Sequence, residues 1–327
     1  MTPGRTRLKS WRLDFWLAVG LTALAMAYLS YALPRLLPGD FVTSLYASSE
    51  VTLSPAQEEK VRAYYTQGGG FTGYLKKLAT LDWGYSYAFL TPVSELIGQA
   101  LPWSLLLLGL AHLLSLGLGF MAGVEAAWRR GHGLEKTLVA ASTVLQGVPE
   151  ISTGVILLAV FALKLQWLPA AGAETAYAQL ALGERLLDAA RHLALPLLTL
   201  LLAYLPGNFL LTRNSMVLVI GQPFITAARG KGLPPARIRY AHAARNALLP
   251  LITRFGLRLA FMITGALVVE TIFSYPGLGT LLFNAIQMRD LPLVTGIVLI
   301  SSLLVLLVNF SLDFVYRLLD PRIGHAR

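Results

Sequence analysis

The chain has 327 residues, of which 55% are hydrophobic and 13% are charged, and its mean hydropathy is +0.61. A soluble domain carries about 25% charged residues, so this composition indicates an integral membrane protein. The net charge of +10 is spread over loops, which in a membrane protein reports cytoplasmic segments and not nucleic-acid binding. The absence of cysteine excludes disulfides and thiol catalysis.

Six apolar segments follow one another along the chain, and each is about as long as the roughly 20 residues that a helix needs to span a bilayer. The first predicted span covers residues 15–37, and the others cover residues 101–124, 137–165, 192–211, 251–273 and 293–314. A cleaved signal peptide is the alternative for the first segment, because Ala25-Met26-Ala27 has the small residues of a cleavage site. The apolar run continues past that point, which favours a span.

Basic residues lie on one side of these spans, in stretches at residues 1–12, 129–136, 213–245 and 317–327. Loops rich in Lys and Arg stay in the cytoplasm, so both termini are expected there. The expected division is a cytoplasmic N-terminus (1–14), a first transmembrane helix (15–37), an external segment (38–100), a core with five further transmembrane helices (101–322) that contains the loop 213–250, and a cytoplasmic tail (323–327).

The external segment carries two local patterns. Ser54, followed by Glu58 and Glu59, is a capped helix start with acidic residues in its first turn. The aromatic element Leu81–Ser86 suits a membrane–water boundary. An interfacial anchor is favoured over a substrate contact for this element, and the role of the segment as a whole stays open.

The third predicted span is interrupted in its middle by Gly147-Val148-Pro149-Glu150. Proline removes a backbone donor and kinks a helix, and irregular backbone at that depth is tolerated where it is buried in protein or lines a cavity. Gln146, Pro149 and Glu150 are therefore candidates for a translocation path. Glu150 either faces this path or pairs with another helix.

Other ionisable residues in the spans have simpler interpretations. His112 in the second span is expected to be neutral and hydrogen-bonded to a neighbouring helix, although an intramembrane ionisable group is also a candidate functional group. Arg254 and Arg258, one turn apart near the inner end of the fifth span, are expected to extend towards the cytoplasmic interface.

The loop from Gly221 to Pro250 is the most distinctive cytoplasmic segment. It contains no Asp or Glu and carries five arginine or lysine residues: Arg229, Lys231, Arg237, Arg239 and Arg245. Its alanines favour helix, while Gly232, Pro234 and Pro235 interrupt it. The sequence predicts a short helix, a sharp corner and a second helix that returns to the membrane.

This loop resembles the signature loop of the permease subunits of ABC importers, on the pattern Ala227-Ala228-x-x-x-Gly232 followed by His242, Asn246 and Pro250. The run Val268–Gly279 is similar to the "VVETIF-S-x-PGLG" element of the oligopeptide, dipeptide and nickel branch, and the resemblance extends from Leu37 to Arg322. Thr226 replaces the glutamate that is common in the family, and Gly230 replaces an alanine. The resemblance implies that coupling to an ATPase is carried by Thr226, Ala227, Ala228, Arg229, Gly230, Lys231, Gly232, Leu233, His242 and Asn246.

The resemblance also implies the partners and the substrate class. The expected assembly contains a second homologous permease, as a heterodimer, two cytoplasmic ATPases and an extracytoplasmic binding protein, in a bacterial inner membrane. The substrate is expected to be a peptide, nickel, another metal chelate or a similar solute. No cofactor is expected on this chain, because Gly230-Lys231-Gly232 lacks the spacing and the Ser or Thr of a phosphate-binding loop. ATP and magnesium are then bound by the partner ATPases.

Two other classes of protein remain as alternatives. An ion-driven secondary transporter needs a relay of intramembrane charges and usually an internal repeat, and Glu150 with His112 are few for that purpose. A membrane-anchored scaffold does not account for the broken third span or for the specific cytoplasmic loop.

Overall fold

The computed structural model describes residues 4–36, 70–80, 82–86, 88–178, 180–260 and 262–319. Its first helices are α1 (Gly4–Arg35), α2 (Gly70–Ala79), α3 (Val93–Trp128), α4 (Gly133–Gln146) and α5 (Glu150–Leu157), which continues as a π-helical segment, Leu158–Lys164. After α6 (Leu182–Ile220) come α7 (Pro223–Gly230), α8 (Pro235–Arg237), a π-helical segment Ile238–Ala244, α9 (Arg245–Ala260), α10 (Met262–Ile272), α11 (Leu278–Gln287) and α12 (Leu291–Leu319). Two short strands, β1 (Tyr85–Ser86) and β2 (Thr91–Pro92), form an antiparallel hairpin.

The long apolar helices match the predicted spans. Within the described residues, three single helices are long and apolar enough to cross a membrane, namely α3, α6 and the Leu291–Ser311 part of α12. The pair formed by α4 and by α5 with its π-helical continuation passes the same test as one broken span. The first predicted span is the apolar stretch Leu17–Leu33 of α1, and the fifth divides into α9 and α10. The all-α membrane fold is confirmed.

The predicted break in the third span is a bend of 97° between α4 and α5. The last turn of α4 is closed by backbone hydrogen bonds from Gly147 to Val144 and from Val148 to Leu145. Pro149 then adopts an extended conformation (φ −60°, ψ 143°) and α5 starts at Glu150. Since proline has no N–H and disfavours helix at the residue before it, the chain must change direction here.

Helices α3 and α6 approach closely at two glycines of α3. A Cβ built on Gly119 would lie 2.8 Å from the Cβ of Asn208, and one built on Gly123 would lie 2.6 Å from the Cβ of Thr212. Both distances are shorter than any ordinary contact, so only glycine fits. Gly109 and Gly117, also on α3, have no such neighbour within 4 Å.

The described chain forms two compact units, each with its own packing. One comprises Met1–Ala100 with Leu281–Leu307, and the other comprises Leu101–Thr280 with Val308–Arg327. The predicted helix start at Ser54 and the cytoplasmic tail lie outside the described residues.

In the unit that contains the hairpin, Asp290 joins the hairpin to helix α12. One carboxylate oxygen accepts the backbone N–H of Leu293 at 3.2 Å, which is the bond of an N-cap residue. The other accepts the hydroxyl of Ser86 and the backbone N–H of Ala88, the latter at 3.3 Å. The side chain is fully buried, so its acceptors are used entirely within the protein.

Candidate functional site

The predicted helix–corner–helix is present in the cytoplasmic loop. Helix α7 begins with Pro223 at its first position, where the missing N–H costs nothing. It ends at Gly230, and Gly232 has a φ of +69°. The N–H of Gly232 donates to the carbonyl of Arg229 at 2.9 Å, and that of Leu233 donates to the carbonyl of Ala228 at 3.4 Å. These paired bonds form a Schellman motif, in which the left-handed position favours glycine.

One face of α7 is buried in an apolar cluster of the same chain. Ile225 and Ala228 are the buried residues of the helix, and Leu233 packs against them. The cluster, called here the base cluster, also contains Val124 and Ala127 of α3, Met216 of α6, Ile238, Ala243 and Ala244 of the second π-helical segment, and Ala247 of α9. Helix α7 is therefore fixed by packing to three long helices.

The opposite face of α7 is exposed. Of the residues assigned from the sequence to ATPase coupling, those with exposed positions in this helix and its corner are Thr226, Ala227, Arg229, Gly230, Lys231 and Gly232. A Cβ at Gly230 or at Gly232 would meet no other atom within 4 Å. This surface is basic through Arg229 and Lys231, and the exposed ring of Phe224 lies on the same helix, so it offers both charge and an aromatic group to another protein.

The two remaining coupling candidates lie apart from this surface, in the returning arm of the loop. His242 is half-buried in the second π-helical segment. The side-chain amide of Asn246 donates to the backbone carbonyl of His242 at 2.7 Å. That bond satisfies a carbonyl where the π-helical segment changes to α-helix, so both residues shape the arm.

Two carboxylates that the sequence did not single out fasten the loop to its surroundings. Glu125, at the end of α3, accepts hydrogen bonds from Arg239 and from the hydroxyl of Tyr240, and this hydrogen bond raises the pKa of the Tyr240 hydroxyl. Glu135, buried at the start of α4, accepts hydrogen bonds from Arg213 on α6 and, at 2.7 Å, from the backbone N–H of Gly131. The sequence signal that could have identified Glu125 and Glu135 is that they are acidic residues in an otherwise basic region.

The candidate path residues lie around the bend between α4 and α5. Gln146 and Pro149 are exposed in this chain, and Glu150 is half-buried. A Cβ built on Gly207 of α6 would lie 3.2 Å from the side-chain nitrogen of Gln146 and 3.1 Å from the guanidinium carbon of Arg254. Gln146 and Arg254 therefore lie side by side over a glycine of α6.

The other intramembrane ionisable residues lie close to this bend. The guanidinium of Arg258 lies over the ring of Tyr204, 5.1 Å from its centroid. The ring of His112 stacks on that of Tyr204, with the two centroids 4.7 Å apart. It meets the ring of Phe255 edge-on, with the centroids 6.1 Å apart. His112 is buried and contacts α6 by stacking on Tyr204, while the predicted hydrogen bond to a neighbouring helix stays a prediction. The sequence favoured an orientation of Arg254 and Arg258 towards the cytoplasmic interface. In the structure both guanidinium groups lie against α6, because Gly207 leaves space for that of Arg254 and the face of the Tyr204 ring attracts that of Arg258.

In fold, this is an all-α membrane protein in which a short helix, exposed on one face, packs against the ends of longer helices. A solved structure of the methionine ABC transporter MetNI in inward-facing conformations superimposes with a TM-score of 0.52, covering 69% of this chain and 97% of that chain at 18% identity. At that identity the match shows the fold.

Residues 115–325 match the family of the binding-protein-dependent transport system inner membrane component, and the chain belongs to this family. It is 34% identical to the oligopeptide transport system permease protein AppB of Bacillus subtilis over 92% of this chain and 95% of the relative. It is 35% identical to the di/tripeptide transport system permease protein DppB of Pseudomonas aeruginosa over 94% and 96%. It is 33% identical to the oligopeptide permease protein OppB of Salmonella typhimurium over 93% and 95%.

The function follows from the family together with the fold. The protein is a membrane-spanning permease subunit of an ABC importer, and it is a component of the membrane. The alternative of an ion-driven secondary transporter is not favoured, because the relatives are named as permeases of oligopeptide or di/tripeptide transport systems and the solved neighbour as an ABC transporter.

Proposed function

We propose that this permease conducts peptides across the bacterial inner membrane, with both termini on the cytoplasmic side. The support is that the three relatives, which match nearly the whole chain, are named for the transport of oligopeptides or of di- and tripeptides. Nickel and other metal chelates, which the sequence left open, have no comparable support in these relatives.

The proposed assembly pairs this chain with a second, homologous permease as a heterodimer. Two cytoplasmic ATPases bind ATP and magnesium, and a soluble binding protein delivers the peptide from outside. The permease itself binds no cofactor and transmits motion, so that closure of the ATPase dimer moves α7 and the spans change from inward-facing to outward-facing.

The observation that supports this role for α7 is that one face of the helix is buried and the opposite face is exposed. One face, which includes Thr226, Ala227 and Lys231, is available to an ATPase. The other, through Ile225 and Ala228, is packed in the base cluster with residues of α3, α6 and α9. Because packed interiors transmit displacement with little compression, a shift of α7 moves the ends of three long helices together.

The test compares two glycines that are two residues apart. Gly232→Val places a branched side chain at a φ of +69°, which costs roughly 1–2 kcal/mol and shifts the corner that ends α7. Since a Cβ at Gly232 meets no atom of this chain, the permease should still insert and fold. Gly230→Ala is the comparison variant within the same coupling surface, because Gly230 has no neighbour within 4 Å, lies in regular helix and stands where the resembling permeases have alanine.

The measurement is uptake of tri-alanine by proteoliposomes that contain the complex, together with ATP hydrolysis and recovery of the ATPases on purification. We expect Gly232→Val to lose uptake while the protein remains in the membrane, and Gly230→Ala to retain it. Uptake must be blocked by vanadate, which separates ATP-driven from ion-driven transport. Normal uptake by Gly232→Val contradicts the coupling role of this corner.

A further inference from the structure

Two arginines lie within the membrane-spanning part of this protein without a role in coupling. Arg254 and Arg258 are on α9, one turn apart, and both are half-buried. Arg254 lies beside Gln146 over Gly207, and Arg258 lies over Tyr204. The ring of His112 stacks on the same Tyr204, and Glu150 begins α5 four residues after Gln146. These residues form one polar group, called here the intramembrane cluster.

The span boundaries predicted from the sequence place the cluster in the inner part of the bilayer. Arg254 and Arg258 follow the start of the fifth span at Leu251 by three and seven residues, which corresponds to about 5 and about 10 Å along a helix. Tyr204 precedes the inner end of the fourth span at Leu211 by seven residues, again about 10 Å. Charged side chains at such depths face a bundle interior or a water-filled cavity.

The balance of charge in the cluster favours an anion. Two guanidinium groups are opposed by a single carboxylate, Glu150, while Gln146 and Tyr204 are uncharged hydrogen-bonding groups. A guanidinium remains protonated in any protein environment and binds carboxylates through two parallel N–H donors. Glu150 keeps the excess positive charge small, which matters in a path because a transported group must also be released.

We propose that Arg254 and Arg258 form a transient binding site for the C-terminal carboxylate of a peptide as it passes through the permease. This assignment rests on the proposed peptide function and adds the chemical group that the path recognises. Gln146, next to Arg254 at the bend between α4 and α5, contributes an amide to the same surface. The site therefore joins the broken third span to the inner half of the fifth.

The experiment uses the reconstituted complex with saturating binding protein preloaded with one of two probes, tri-alanine or tri-alanine amide. Arg254→Gln and Arg258→Gln remove one charge each, and Arg258→Lys keeps the charge without the two-donor geometry. Arg191→Gln, an exposed arginine outside the cluster, is the matched control. Melting temperatures of all variants verify folding.

We expect each glutamine variant to lower the maximal rate for tri-alanine about tenfold, as for the loss of a hydrogen bond to a charged group, with the half-saturating concentration of loaded binding protein unchanged. Uptake of the amide should be the same in all variants, and Arg258→Lys should recover part of the tri-alanine rate. Equal losses for both probes, or no loss for either, overturn the carboxylate site while the peptide function stands. Transport of neither probe by the wild-type complex overturns the peptide function and the site with it.

Discussion

The carboxylate of Glu270 accepts a hydrogen bond from the backbone N–H of Gly279 at 2.7 Å. The same carboxylate accepts the N–H of Thr280 at 3.2 Å and the hydroxyl of Ser104, which in turn accepts the N–H of Leu278 at 2.8 Å. A buried carboxylate is thus held at the N-terminus of α11, where backbone N–H groups and the helix dipole favour negative charge. It fixes the turn Pro276–Gly279 against α10 and α3.

Glu270→Gln should destabilise the permease. The amide group has only one acceptor oxygen, which can still accept the N–H groups of Gly279 and Thr280, but its NH2 group then faces the hydroxyl of Ser104, which loses its acceptor. Leaving buried donors unsatisfied costs about 1–3 kcal/mol, so the melting temperature of the detergent-solubilised protein should fall by several degrees. Glu95→Gln is the control, because Glu95 is exposed and, within the described residues, its hydrogen bond is to Gln99 of its own helix. Equal melting temperatures for the two variants would show that the buried carboxylate is not needed for stability.

The glycines of α3 allow a sharper comparison. A Cβ on Gly123 would lie 2.6 Å from the Cβ of Thr212 and 2.9 Å from the carbonyl oxygen of Phe209, whereas one on Gly117 meets nothing within 4 Å. Gly123→Ala should force α3 and α6 apart and cost about 1–3 kcal/mol. Gly117→Ala should raise stability slightly, since alanine favours helix over glycine by about 1 kcal/mol. Thermal unfolding in detergent measures both, and a Gly123→Ala variant as stable as wild type contradicts the close approach.

Asp290→Asn should weaken the attachment of the β1–β2 hairpin to α12. Asparagine can still cap α12 through its oxygen, but its NH2 group would then face the donors of Ser86 and Ala88. We expect the backbone amide of Ala88 to exchange its hydrogen markedly faster in the variant, measured by mass spectrometry. Asp82→Asn, at an exposed residue whose contact is local to Gly84, should leave that exchange unchanged. Unchanged exchange in Asp290→Asn would place the anchor of the hairpin elsewhere.

The sequence was informative where the cause of a structure is local. The bend at Pro149 and the corner at Gly232 follow from the backbone chemistry of proline and glycine, and both were predicted. The membrane fold was also predicted, because the charge of the loops and the length of the apolar runs are properties of short stretches of sequence.

The sequence was less informative where the cause lies in tertiary packing. The bonds of Glu125 to Arg239 and of Glu135 to Arg213 join residues 114 and 78 positions apart. Nothing in a single sequence pairs these side chains. Periodicity also could not show that Gly123 is a contact point while Gly117 is not, because that depends on which face of α3 meets α6.

The contact of Glu125 with Tyr240 leads to a prediction about efficiency of transport. It ties the returning arm of the cytoplasmic loop to the end of α3, next to the base cluster that holds α7. Tyr240→Phe removes the hydroxyl donor and keeps the ring, so the loop should fold while its attachment weakens by roughly 1–2 kcal/mol. A looser attachment allows α7 to move without the spans, so we expect fewer peptides transported per ATP hydrolysed. Arg237→Gln, an exposed residue in the same arm, is the control. If Tyr240→Phe keeps the wild-type ratio of uptake to ATP hydrolysis, the contact with Glu125 stabilises the arm without contributing to transmission.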